Sequence, residues 1–209
     1  RLQKKRPFCF QGMARKLGLP LFNQLCLQLP VQLLVHWTGK LHCSPELPSA
    51  WELMLNIAVG TFVSEAVFFY THRLLHIPWL YQHVHSVHHE YRTPTGLSAI
   101  HAHPVEFLLA NMLLANATLL LMPGRTHVVV YWTMFVMGIV GSTLHHSGFA
   151  FPFYDSFLVA FHDHHHENPR CNYGVYGWLD ILHGTYRTNR KWYKAYVQQQ
   201  ASHATTNDT

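Results

Sequence analysis

The chain of 209 residues is 49% hydrophobic and 14% aromatic but only 12% charged, roughly half the charged share of a soluble domain. Its formal charge of +5 is not gathered into an aromatic-interleaved basic patch, which sets nucleic acid aside as a partner. The four cysteines, Cys9, Cys26, Cys43 and Cys171, form no C-x-x-C pair, so neither a zinc ribbon nor a disulfide scaffold is readable. The chain opens on Arg1 and not on methionine, as a trimmed or partial chain would.

In chain order, a basic segment covers residues 1–16. The apolar stretch Leu17 to Val35 is interrupted by Asn23, Gln24, Gln28 and Pro30, a pattern that fits a first span or a helix lying in the interface. Trp51 to Tyr70 is the strongest span; as a helix it reaches about 30 Å, the thickness of a hydrocarbon core. Pro104 to Met122 and Val128 to Leu144 are shorter, and Pro123 and Gly124 between them predict a tight reversal and hence a helical hairpin. Residues 196–209, ending in "QQQASHATTNDT", have no apolar period and predict a disordered tail. The fold class expected is an all-α integral membrane bundle of about four embedded segments, occupying residues 17–195, with a histidine-rich helical cap.

Taking all four stretches as spans, only Lys40 and Arg125 of the 15 Lys and Arg residues fall on one side. The positive-inside rule then places the other side in the cytosol. "HRLLH", "HSVHH", "HAHP", "LHHSG" and "FHDHHH" all fall on that same side, although the charge count makes no use of histidine.

These clusters are dense beyond what a core requires. His72 and His76 are i, i+4 and share a helix face. His85, His88 and His89 repeat the H-x-x-H-H spacing of His162, His165 and His166. On a helix such a unit fills a sector about 100° wide, so its imidazoles can converge on one centre or divide between two. Eight histidines exceed one tetrahedral ion and suit two ions of higher coordination with positions left open. A proton sensor built from interfacial histidines has no need of a repeated spacing. Carboxylate-bridged di-iron proteins carry paired Glu-x-x-His motifs, and none occurs here. Glu65 lies inside a span, where a carboxylate is costly unless paired. Asp163, Asp180, Asn168 and Asn172 are candidates for orienting ligand imidazoles.

Together "HRLLH", "HSVHHEY", "AHPVE", "HHSG" and "HDHHHENPRCNYG" followed by "WLDILHGT" resemble the fatty acid hydroxylase / sterol desaturase superfamily. The closest resemblance is to C-4 methylsterol oxidases and fatty acid hydroxylase domain-containing proteins. The resemblance implies a multi-pass enzyme of the endoplasmic reticulum membrane with its histidines in the cytosol. It further implies two iron ions, with zinc an alternative occupant in purified protein, and electrons from cytochrome b5 or its NAD(P)H-dependent reductase. No His-Pro-Gly-Gly segment occurs here, so the donor is expected from outside. The implied metal ligands are His72, His76, His85, His88, His89, His146, His162, His165 and His166, with His103 as a tenth. Relatives commonly carry a polar residue where this chain has Ala150, and His103 or His145 is the expected substitute. The expected reaction is hydroxylation of a membrane lipid at a C–H bond, first of all the C-4 methyl group of a sterol. A fatty acyl or sphingoid hydroxylase and a non-catalytic zinc-binding membrane protein are the alternatives.

Overall fold

The computed structural model describes residues 16–122, 124–149 and 151–188. The expected tail and all but Lys16 of the basic segment lie outside the described residues.

Four helices are long and apolar enough to cross a membrane: α1 (Gly18–Trp37), α2 (Ala50–Leu75), α4 (Pro104–Leu121) and α5 (Val128–His145). The protein is therefore a multi-pass membrane protein and an all-α bundle. Three short helices, α3 (Pro78–His83), α6 (Ser156–Glu167) and α7 (Trp178–Leu182), gather at one end with two 3-10 turns, His85–Glu90 and Gly96–Ile100. The first stretch forms a continuous helix of spanning length, although Pro30 has no N–H for Cys26. A π-helical segment, Asn23–Gln28, precedes that proline, and a second, Phe107–Met112, lies in α4. Large apolar side chains such as Leu25, Leu33, Trp51 and Phe62 point outward at 63 to 70% exposure, the inverse of a soluble surface and what lipid contact requires.

The second helix starts where Ser49 accepts a hydrogen bond from Glu52 N at 3.1 Å, a side-chain N-cap. It runs five residues beyond the apolar run, through Thr71 to Leu75, because polar residues end hydrophobicity without ending a helix. Ile77 stops the chain from continuing: it precedes Pro78 and is extended, with ψ 145°. At 1.5 Å per residue its 26 residues reach about 39 Å, longer than the roughly 30 Å core. The surplus carries His72 and His76 toward the end of the bundle.

Polar side chains inside the spans pair with one another and with the main chain. Tyr131 of α5 donates to Asn116 Oδ1 of α4 at 2.9 Å, and its hydroxyl oxygen also contacts the Gln32 side-chain amide of α1. Asn23 donates to Ala102 O at 2.8 Å, fixing α1 to the strand of chain that precedes α4. At the opposite end, β1 (Leu41–His42) and β2 (Thr126–His127) make a two-residue parallel pair, Leu41 opposite Thr126. Arg125 reinforces it by donating to Gly39 O and Leu41 O. The apolar clusters Leu75, Val84, Ala110 and Ala102, Phe107, Met112 bring α2, α3 and α4 together beneath the histidines.

Candidate metal centre

Three elements end at the same place. α2 delivers His72 and His76, the C-terminus of α5 delivers His146, and α6, capped by Asp155 accepting from Phe157 N at 2.8 Å, delivers His162, His165 and His166. The unit at His85 is a 3-10 turn and not the α-helical sector expected, because Val84 at φ −125°, ψ −64° breaks the path from α3.

The imidazoles divide between two groups. His72, His76, His85, His89 and His165 form one; His88, His146, His162 and His166 form the other. Each H-x-x-H-H unit thus sends its i, i+4 pair to one group and its middle residue to the other. In the first group the Nε2 atoms make a closed ring of contacts. His72 to His85 and His85 to His89 are 3.1 Å, His89 to His165 and His165 to His76 are 3.2 Å, and His76 to His72 is 3.3 Å. All five lie within 4.8 Å of one another, whereas a flat pentagon with these edges would have diagonals of about 5 Å. The five nitrogens are therefore gathered around a common centre and not spread in a plane. In the second group His162 lies 2.9 Å from His146 and 3.1 Å from His166, and His146 lies 3.3 Å from His88, all between Nε2 atoms.

Main-chain carbonyls fix the tautomers. Nδ1–H of His72 donates to Tyr173 O at 2.8 Å, of His165 to Cys171 O at 2.7 Å, of His88 to His101 O at 3.2 Å and of His146 to Ser142 O at 2.8 Å. A carbonyl only accepts, so these rings carry their proton on Nδ1 and present a bare Nε2. Burial, followed by the mutual repulsion of neighbouring rings, holds His85, His162, His165 and His166 well below the usual imidazole range. Burial takes His88 down to about 4, the His101 carbonyl pulling weakly the other way. The rings are neutral at physiological pH, the state in which imidazole ligates metal. His88 and His146 then face each other with two lone pairs at 3.3 Å and no proton between them. That arrangement is repulsive on its own and is what a shared cation resolves, so the donor set of this group fits a metal; in the other group His72 and His165 likewise present bare Nε2 atoms to the cluster.

The tenth candidate, His103, belongs to neither group: its Nδ1 accepts from Val105 N at 3.2 Å and caps α4. His145 is buried near His162, ring centroids 6.2 Å apart, and also belongs to neither. Ala150 lies outside the described residues. His164 stands outside both groups. Asp180 orients no imidazole directly; it accepts from Tyr173 N, Gly174 N and the Thr185 hydroxyl. Asn172 likewise binds main chain, at Phe161 O and Arg187 O. Sequence reasoning did not find Glu106, whose buried carboxylate lies 2.9 Å from His85 Nδ1, close enough to steady the ring although the N–H is not aligned on it. A carboxylate in the first turn of a span was the available signal.

A family model described as "Fatty acid hydroxylase" matches residues 57–185. Fatty acid hydroxylase domain-containing protein 2 of Macaca fascicularis is 38% identical over 79% of this chain and 49% of its own length. Very-long-chain aldehyde decarbonylase GL1-8 of Oryza sativa subsp. indica is 36% identical over 80% of this chain and 66% of its own. Methylsterol monooxygenase 2-2 of Arabidopsis thaliana is 34% identical over 69% of this chain and 57% of its own. The chain spans about half the length of the first of these. No solved structure matches it.

Proposed function

The chain belongs to the fatty acid hydroxylase family, and from that premise we propose that it is a membrane-bound non-haem di-iron mono-oxygenase hydroxylating a lipid C–H bond. The substrate proposed is a 4-methyl sterol, oxidised at the C-4 methyl group. The observation that carries the metal reading is the pair of bare nitrogens at His88 and His146, 3.3 Å apart in a buried cluster. In this reading His72, His76, His85, His89 and His165 hold one iron and His88, His146, His162 and His166 the other. Iron bound there supplies dioxygen activation: one oxygen atom enters the C–H bond and the other leaves as water, with two electrons and two protons from outside. The protein's own part is to keep the imidazoles neutral, to hold Nδ1 protons on carbonyls, and to exclude bulk water from a cluster whose members are almost all buried.

The end of the bundle suits a lipid substrate and a soluble donor at once. Exposed apolar side chains there, Leu74, Ile77, Trp79 and Phe153, face outward around the histidines. The placing of 15 basic residues, with only Lys40 and Arg125 on the other side, supports a cytosolic histidine end in the endoplasmic reticulum membrane. Cytochrome b5 or its NAD(P)H-dependent reductase is the proposed donor, with exposed basic residues such as Arg187 as a docking contribution.

The names of the relatives support a lipid substrate, and the methylsterol monooxygenase among them supports the sterol. An acyl-chain substrate is the second reading, favoured by the very-long-chain aldehyde relative. Membranes containing the protein, given oxygen and reduced donor, should convert a 4-methyl sterol to its 4-hydroxymethyl product, and the His88→Ala protein should not. Untouched sterol beside a hydroxylated acyl or sphingoid chain overturns the substrate and keeps the chemistry. Zinc-loaded protein from iron-replete cells, with no oxygen-dependent turnover on any lipid, favours a non-catalytic zinc protein.

A further inference from the structure

We propose that Glu65 and Asp180 are positioning residues for the five-histidine centre, acting through the main chain of the segment 171–179. This rests on the metal reading above and extends it to residues that touch neither an imidazole nor an ion.

The segment follows α6 and carries the two carbonyls that hold His72 and His165: Tyr173 O accepts from His72 Nδ1 at 2.8 Å and Cys171 O from His165 Nδ1 at 2.7 Å. Both rings belong to the same group, and they come from different elements, α2 and α6. The segment up to Gly177 has no helix or strand of its own to keep those carbonyls in place. Its amide groups converge instead on two carboxylates. Tyr173 N and Gly174 N donate to Asp180 at 2.8 and 2.7 Å. Val175 N, Tyr176 N and Leu179 N donate to Glu65 at 2.8, 2.8 and 3.2 Å. Tyr173 therefore has its N–H on Asp180 and its carbonyl on a ring of the cluster, one peptide unit joining carboxylate to imidazole.

The seat is tight. A Cβ on Gly174 would lie 2.5 Å from Glu65 Oε1 and 2.9 Å from Asp180 Oδ2, both of them held by other hydrogen bonds. Its depth explains why a carboxylate stands within a span. Glu65 lies ten residues before the end of α2, and Trp178 packs on Phe62 still further along it, ring centroids 5.3 Å apart. The segment thus runs down beside a spanning helix, where water does not serve the amides of irregular backbone and the protein must. Glu65 and Asp180 are 2% and 0% exposed, and five otherwise orphaned N–H groups fall to them.

The four-histidine group has no such dependence. Its rings His88 and His146 rest on the carbonyls of His101 and Ser142, outside this segment. Loosening the carboxylates should therefore act on one centre, whereas a general loss of fold would act on both.

The test uses the purified chain in detergent, loaded with zinc and challenged with an excess of a colorimetric chelator. Wild-type protein should release two equivalents. In Glu65→Gln and Asp180→Asn one equivalent should leave about 10–100-fold faster, the usual effect of disturbing partners of metal-ligating histidines, and the other at the wild-type rate. Gly174→Ala, which leaves both carboxylates in the chain, should reproduce this in protein that remains monodisperse. His88→Ala should disturb the opposite equivalent. Unchanged release of both equivalents in all three variants overturns the proposal, and so does equal acceleration of both. Wild-type protein that retains no zinc, iron or cobalt overturns the metal reading itself, and this inference with it.

Discussion

At the residue scale, what each ring presents to its group depends on which nitrogen carries the proton. The carbonyls of Tyr173, Cys171, His101 and Ser142 settle that for four rings. Those acceptors are main-chain atoms from sites 4 to 101 residues away in sequence, so no side-chain pattern could reveal them. The spacing of the histidines did reveal the rings themselves, since an i, i+4 pair must share a face whatever lies around it. What spacing leaves open is partition; His103 comes from the family resemblance, as a substitute for the polar residue expected at Ala150, and its Nδ1 accepts from an amide of α4. His103→Ala should leave metal content unchanged and cost about 0.5–2 kcal/mol in stability, as an N-cap does, measured by metal analysis beside thermal unfolding. Acid supplies a second check. His88 sits at about 4 when folded, through burial, against an ordinary value of 6.5. Between those values the unfolded chain binds a proton that the folded protein does not, so stability must fall as pH drops from 6.5 toward 4. The melting temperature in detergent should be lower at pH 5 than at pH 7.5; equal values would mean that the rings are not sealed from protons.

At the element scale, the spans were legible because apolar runs of the right length have few other uses. Their ends were less so. α2 continues through "THRLL" because the hydrophobic run and the helix stop for different reasons, lipid in one case and Pro78 in the other. The descent of segment 171–179 beside α2 was not legible at all: nothing in "CNYGVYGWL" is long or apolar enough to mark it, and its anchor, Glu65, lies over a hundred residues earlier. Orientation is the matching prediction. The basic residues argue that the turn near Gly124 faces the lumen and the end of α6 the cytosol. A glycosylation acceptor introduced near Gly124 should be modified and one near Arg170 should not. The reverse pattern contradicts this topology.

At the scale of the whole molecule, a span longer than the bilayer, a hairpin and a capping helix bring nine histidines from four separate stretches of chain into two adjoining buried groups. The arrangement is asymmetric: five imidazoles in one group and four in the other among the described residues. The shape of a lipid cavity depends on packing that histidine spacing does not encode. The central claim is narrower and can be tested before any substrate is known: each group holds its own ion. Metal content per chain, measured on protein purified from iron-supplemented cells, tests it most directly. The account predicts two ions in the wild type, one in His76→Ala, one in His146→Ala and none in the double variant. Wild-type protein that never exceeds one ion, or either single variant still holding two, would contradict it.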